Sequence, residues 1–157
     1  MTGVQTCALP ILILTLTREL VLQIADNLSP LATVMGLRLH LVAGGMAYGP
    51  QIKAFERGVD VAVATPGRLI DLLEQGIADL SRVEVMVLDE ANHMSNLEFL
   101  PAVTTILDAV PADGQRLLFS ATLDGAVDEL VRRYLAYLLS AIYNAFLRHG
   151  KVLAEVV

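Results

Sequence analysis

The stretch at residues 85–94, Val-Met-Val-Leu-Asp-Glu-Ala-Asn-His-Met, constrains the fold more than any other. An apolar run of strand length that stops abruptly on two carboxylates is the pattern of a buried parallel strand whose carboxyl end opens on a ligand site. Asp89 and Glu90 are therefore the first candidates for chemistry. Two acids at a strand end can hold a hydrated Mg²⁺ and orient a water, because Mg²⁺ takes hard oxygen ligands and keeps several of its own waters. On the pair alone, a second reading carries equal weight: the acids cap the helix that follows.

Other short strings share that context. Thr17-Arg18-Glu19-Leu20, Gly44-Gly45, Thr65-Pro66-Gly67-Arg68, Asp89-Glu90-Ala91-Asn92 and Ser120-Ala121-Thr122 each lie at or just beyond the carboxyl end of an apolar run. In this order and spacing they resemble the first RecA-like domain of a DEAD-box RNA helicase, over roughly residues 12–135. The resemblance implies an α/β fold of three αβα layers around a mostly parallel sheet, of the P-loop NTPase type. It also implies ATP and Mg²⁺ as cofactors, RNA as partner, and a second RecA-like domain that completes the ATP site.

Composition bounds the rest. At 157 residues and 55% apolar content the chain suffices for one core and is too short for the two domains of a helicase motor. A net charge of -6 gives no global basic footprint, so any nucleic-acid binding must come from a local site. The single cysteine excludes an internal disulfide framework and fits a reducing, cytoplasmic compartment. No run of about eighteen apolar residues is present to span a membrane.

Residues 3–11, Gly-Val-Gln-Thr-Cys-Ala-Leu-Pro-Ile, read as the in-frame translation of a short-read sequencing adapter, which makes residues 1–11 a non-native lead. Taken at face value they form a short apolar lead-in without the basic region or cleavage site of a signal peptide. The nucleotide reads decide between the two: an adapter match ending near codon 11 is expected, and a continuous genomic match through codons 3–11 overturns it.

Residues 11–15 read as a buried strand, with Thr17 as N-cap of a helix over residues 18–33 whose Leu20, Ile24, Leu28 and Leu31 face the sheet. By resemblance Thr17 and Arg18 contact RNA phosphates; on its own Arg18 reads as a solvated helix charge. The family's motif begins with proline, where this chain has Leu16. Residues 38–42 form the next strand and run into Gly44-Gly45, a doublet that reads equally as a tight turn or as backbone open to a phosphate, its role in the family. A helix at 50–57, a strand at 59–64 and a helix from about 67 to 75 follow. Thr65 can cap that last helix, with Pro66 at its first position. Capping leaves Gly67 unexplained, since glycine in a helical turn costs about 1 kcal/mol relative to alanine. By resemblance Thr65, Gly67 and Arg68 bind RNA.

By resemblance, Asp89 holds Mg²⁺ through water and Glu90 positions or deprotonates the water that attacks the γ-phosphate. Where the family has a second aspartate this chain has Asn92, a neutral amide. That change spares the hydrolytic pair and bears on the link to Ser120 and Thr122 that couples nucleotide state to RNA binding. His93 reads as a polar helix-start residue, because no second His or Cys stands at ligand spacing. A helix at 99–110, a strand at 115–119 and a helix from 124 or 125 to 135 complete the resemblance. Residues 136–157 read as an apolar helical tail of uncertain origin.

No Gly-x-x-x-x-Gly-Lys-Ser/Thr occurs in the chain, so the loop and lysine that cradle ATP phosphates in such enzymes are lacking, as is the family's first strand. That strand would lie beside the one leading to Ser120, and its loss predicts an unpaired sheet edge. The expectation is therefore a partial helicase domain, inactive alone, from a protein that hydrolyses ATP to separate or remodel RNA. The alternatives are a non-catalytic RNA-binding or partner-docking module, and a truncated product without function.

Overall fold

The structure, a computed structural model, describes residues 9–96, 98–120, 122, 125–134 and 152–156. The short apolar runs become strands β1 (Ile11–Leu14), β2 (Leu39–Val42), β3 (Val61–Ala64) and β4 (Val85–Leu88), followed by β5 (Gln115–Ser120) and β6 (Val152–Val156). Among the described residues they form one sheet in the order β2-β3-β1-β4-β5-β6. The first five are parallel, with Ile13 level with Val63 and Val87, and β6 runs antiparallel to β5.

Helices α1 (Arg18–Met35), α2 (Tyr48–Arg57), α3 (Pro66–Glu74), α4 (Ala91–Met94), α5 (Leu100–Ala109) and α6 (Gly125–Tyr134) connect the strands. Alternation along each strand sends its residues to two cores. Leu12, Leu14, Ala62, Ala64, Met86, Leu88 and Leu118 pack with Phe55, Leu69, Leu72, Ile106, Leu107 and Leu130 on one face. On the other face Val63 packs with Val21 of α1 and Ala43. β3 is buried at all four positions, as expected of a strand covered on both sides. The three-layer αβα expectation holds.

Three expectations need correction. In α1 the fully buried positions are Val21, Ala25 and Ala32; of the expected stripe Ile24 packs against the second core and Leu20 and Leu28 are half-buried, while Leu31 is 60% exposed. Two stripes of equal spacing lie side by side on this helix, so periodicity cannot choose between them; the one carrying alanines lets α1 approach the sheet closely. Ahead of β1, two residues of the lead already pack on the sheet. Leu9 is fully buried, and the Pro10 carbonyl accepts the N–H groups of Glu84 and Val85 at 2.9 Å each. The edge of β5 is not open: β6 pairs along it, with Ser120 level with Val152 and Arg116 with Val156. Finally, the expected helical tail carries a strand at Val152–Val156, and the rest of that tail lies outside the described residues. Both of these last departures have one cause. The unpaired N–H and C=O groups on the outer side of β5 need partners, and a valine-rich segment supplies them.

Two arginines fasten the end of the sheet opposite the strand carboxyl termini. Arg116 on β5 is buried, and its guanidinium donates to the carbonyls of Tyr134, Val110 and Pro111, tying the end of α6 to the α5–β5 turn. Burial pushes its pKa down from the ordinary value. Arg38, before β2, grips Asp60, before β3: Nε and Nη2 donate to the carboxylate at 2.9 Å each, and the Arg38 N–H adds a bond of 2.7 Å. Arg38 also lies over Gly58, whose φ of 100° and lack of a side chain make room for it.

These bonds from Arg38 hold the Asp60 carboxyl below the ordinary carboxylate value. Because the folded pKa is the lower one, the stabilisation is whole above about pH 4 and is lost as pH falls through the folded value. Asp60→Asn should therefore cost about 1 kcal/mol at pH 7 in urea denaturation, a figure reduced for the exposure of Arg38. The gap from wild type should narrow below about pH 4. Equal stability at pH 7 would show that the pair contributes nothing.

Candidate functional site

Parallel pairing brings every strand's carboxyl end to one rim of the sheet, and the sequence-predicted site residues lie along it. They fall in two groups, one over β1, β2 and β3, the other over β4 and β5.

In the first group, Thr17 is the N-cap of α1 and its Oγ1 accepts the Leu20 N–H at 3.3 Å, as the capping reading predicts. Its hydroxyl proton stays available as a donor. Arg18 is exposed and reaches over the loop after β2: a Cβ added to Gly45 would come within 3.2 Å of its Nη1. Gly45 has a φ of 74°, so glycine is demanded there by conformation and by the close arginine. Gly44 and Gly67 differ, because a Cβ on either would meet nothing within 4 Å. Their bare backbones are exposed and nothing in the fold requires them. Thr65 is the extended N-cap of α3 but makes no side-chain capping bond, so capping does not account for its hydroxyl.

Arg68 is placed differently. It is 9% exposed, and its Nη1 donates to the Met46 carbonyl at 2.9 Å and to Gln51 Oε1 at 3.2 Å. Its guanidinium lies 3.7 Å from the centre of the Tyr48 ring, and the Tyr48 hydroxyl donates to Asp71 at 2.7 Å. Gln51, 1% exposed, also donates to the Ala43 carbonyl. The bond to Asp71, ahead of desolvation, holds the Tyr48 phenol above its ordinary pKa, so it remains a donor at neutral pH. Arg68 thus binds the inside of the 43–47 loop while the glycines form its outside. Sequence reading missed Tyr48, Gln51 and Asp71. Asp71 stands three residues from Arg68 on one helix, a spacing that signals an ion pair, but no pattern marks a buried glutamine.

In the second group, the Asp89 N–H donates to the Leu14 carbonyl at 2.9 Å, which carries the ladder one step past β4 and sets Asp89 beside Thr15. Thr15 is fully buried, and its Oγ1 has no partner. One Asp89 oxygen accepts the Glu90 N–H at 3.0 Å. Glu90 has a φ of 58°, the one positive value for a non-glycine among the described residues. Both carboxylates are half-buried. Among the described residues no cluster of three or more His, Cys, Asp or Glu could cage a metal directly, and His93 is exposed and joins none.

Ser120 meets Asn92: its Oγ lies 3.3 Å from Asn92 Oδ1 and 2.5 Å from the Thr122 carbonyl, and its one proton serves a single acceptor at a time. The side chain of Thr122 is exposed and contributes only its backbone to this arrangement, while Ala121 lies outside the described residues. The Asn92 carbonyl accepts Ser95 Oγ at 2.9 Å.

Known proteins similar to this chain identify its family. The family model described as DEAD/DEAH box helicase matches residues 5–130. The ATP-dependent RNA helicase DBP2 of Candida albicans is 44% identical over 125 residues, covering 80% of this chain and 22% of that protein. The ATP-dependent RNA helicase RhlB of Erwinia tasmaniensis is 46% identical over 130 residues, covering 82% and 30%. Among solved structures, the yeast DEAD-box splicing factor Prp28 superposes with a TM-score of 0.76 at 33% identity, over 82% of this chain and 31% of that one. A DEAD box protein from Methanococcus jannaschii gives 0.75 at 38% identity, over 81% and 35%. The chain thus spans less than a third of the length of these two curated relatives. It belongs to the DEAD/DEAH box helicase family.

Proposed function

We propose that this chain carries the RNA-contacting and water-directing rim of an ATP-dependent RNA helicase, acting in the cytoplasm together with a second RecA-like domain. The observation that carries the reading is the convergence of Arg18, the Gly44–Gly45 backbone, Thr65 and Gly67 on one rim, alongside the Asp89–Glu90 pair. The names of the relatives at 42–46% identity support it.

Arg18 supplies the charge, Thr17 and Thr65 supply hydroxyls, and the two bare glycines let backbone N–H groups approach a phosphate without a Cβ intervening. Such contacts read the sugar-phosphate chain rather than base sequence. At the other group, Asp89 has one oxygen bonded to the Glu90 N–H and one left for a water of hydrated Mg²⁺, which fits a cation held through water rather than caged. When bound with ATP, Mg²⁺ neutralises phosphate charge. Glu90 is then the group that orients or deprotonates the attacking water. The Asn92–Ser120 contact links this group to β5 through a neutral pair, where an aspartate would make a charge-assisted bond about twice as strong. Coupling of nucleotide state to RNA grip is therefore weakened at Asn92, while the hydrolytic pair is untouched.

The test is fluorescence anisotropy of the purified chain with a labelled single-stranded RNA across a salt series, with ATP turnover measured in parallel. Binding should weaken with salt and fall about tenfold in Arg18→Ala at low salt, without ATP turnover, because the sequence holds no phosphate loop. Binding that ignores both salt and Arg18→Ala would overturn the RNA reading. Gly67→Ala gives a second check with opposed signs. Its Cβ meets nothing in the fold, so the variant should be more stable by up to about 1 kcal/mol and yet bind RNA more weakly. Equal or tighter RNA binding would remove Gly67 from the contact set.

A further inference from the structure

The loop carrying Gly44 and Gly45 lies between β2 and α2 in neither helix nor strand, with a turn at the glycine pair. What secures it is a set of side chains that no motif reading singles out. The Met46 carbonyl accepts Arg68 Nη1, the Ala43 carbonyl accepts Gln51 Nε2, and Gln51 Oε1 accepts Arg68, so one guanidinium and one amide hold both sides of the glycine pair. Arg68 sits in the first turn of α3, where the helix dipole opposes a cation. Its charge also lies nine-tenths out of water. Two carbonyl-type acceptors alone leave much of that charge unbalanced. The Tyr48 ring face at 3.7 Å adds a further attraction, and the Asp71 carboxylate fixes the ring through its hydroxyl.

Tyr48 is itself 40% exposed and opens α2, so the contact joins α2 to α3 across the mouth of the loop. Its ring contributes little to the core, which makes a packing role an insufficient account of it.

We propose that Tyr48 is a positioning residue for RNA binding: with Asp71 it latches Arg68 in place, and Arg68 in turn holds the Gly44–Gly45 loop in the shape that receives a phosphate. The proposal rests on the RNA reading of the rim. It assigns Arg68 a role behind the contact surface, not on it. The latch does its work before RNA arrives, by removing alternative loop conformations that binding would otherwise have to select against.

Two readouts on the full chain test this. NMR backbone order parameters report the loop directly and need no RNA. In Tyr48→Ala those of Gly44 to Ala47 should fall below about 0.6, with those of β1, β3 and β4 unchanged. Tyr48→Phe, which keeps the ring over Arg68 but loses Asp71, should fall between it and wild type. RNA affinity by anisotropy should follow the same order, and a merely structural residue would instead move the strand order parameters and melting temperature together. Unchanged loop order in Tyr48→Ala overturns the latch, and so does a loosened loop with full RNA affinity. If wild-type chain binds no RNA, the RNA reading falls; the order-parameter result then still decides whether the latch orders the loop.

Discussion

The constraint on which everything else depends is the parallel ladder that runs from β2 through β3, β1 and β4 to β5. Each of these strands must be re-entered from the same end, so each is followed by a helix that returns across a face of the sheet, and each ends at the same rim. Burial of both faces keeps β1, β3 and β4 apolar throughout, and their polar residues come where the chain leaves the ladder. The motif residues gather because the topology leaves them nowhere else to emerge. Tight fastening at the opposite end, by Arg38 with Asp60 and by buried Arg116, is the complement of a rim left open for ligands.

That logic explains what could be read from the sequence. Strand-length apolar runs followed by polar strings placed the first five strands and the five motifs, since a run such as Val85 to Leu88 can hardly do anything but enter a sheet covered on both sides. Features that depend on what lies opposite a residue were not legible. The stripe on α1 turned by one position because closeness to the sheet favours Ala25 and Ala32 over larger side chains, and periodicity carries no information about closeness. Arg68 was expected, by resemblance, to bind RNA. Its burial depends on Tyr48 and Gln51, which are remote in sequence and belong to no pattern. β6 was missed for a similar reason: whether a valine-rich segment becomes a strand depends on an edge elsewhere that needs partners.

The glycines separate into two kinds once their surroundings are known. Gly45 and Gly58 have positive φ and lie under Arg18 and Arg38, so the fold itself requires them. Gly44 and Gly67 have room for a side chain, and their lack of one is a cost without a structural return. A residue that weakens the fold and is not required by it is where a binding role has the most to explain. The same contrast applies to hydroxyls: Thr17 is occupied as a cap, whereas Thr65 sits at a cap position without making the bond.

Glu90 concentrates this tension between fold and site. An L residue in the left-handed region costs about 1–2 kcal/mol, and glycine would relieve it. The conformation is nevertheless held from both sides. The Glu90 N–H is bound by the Asp89 carboxylate, and its carbonyl accepts the N–H groups of His93 and Met94 as α4 begins. Met94 is fully buried, so α4 cannot swing away to relax the turn. The turn breaks the line of β4 at Glu90, and it uses one oxygen of the neighbouring acid to do so. The two carboxylates are therefore not equivalent: Asp89 is committed in part to shaping the turn, whereas the Glu90 side chain makes no capping bond. Under the proposed function, a pair that sequence alone could assign equally to capping or to chemistry is divided between those two tasks by the backbone.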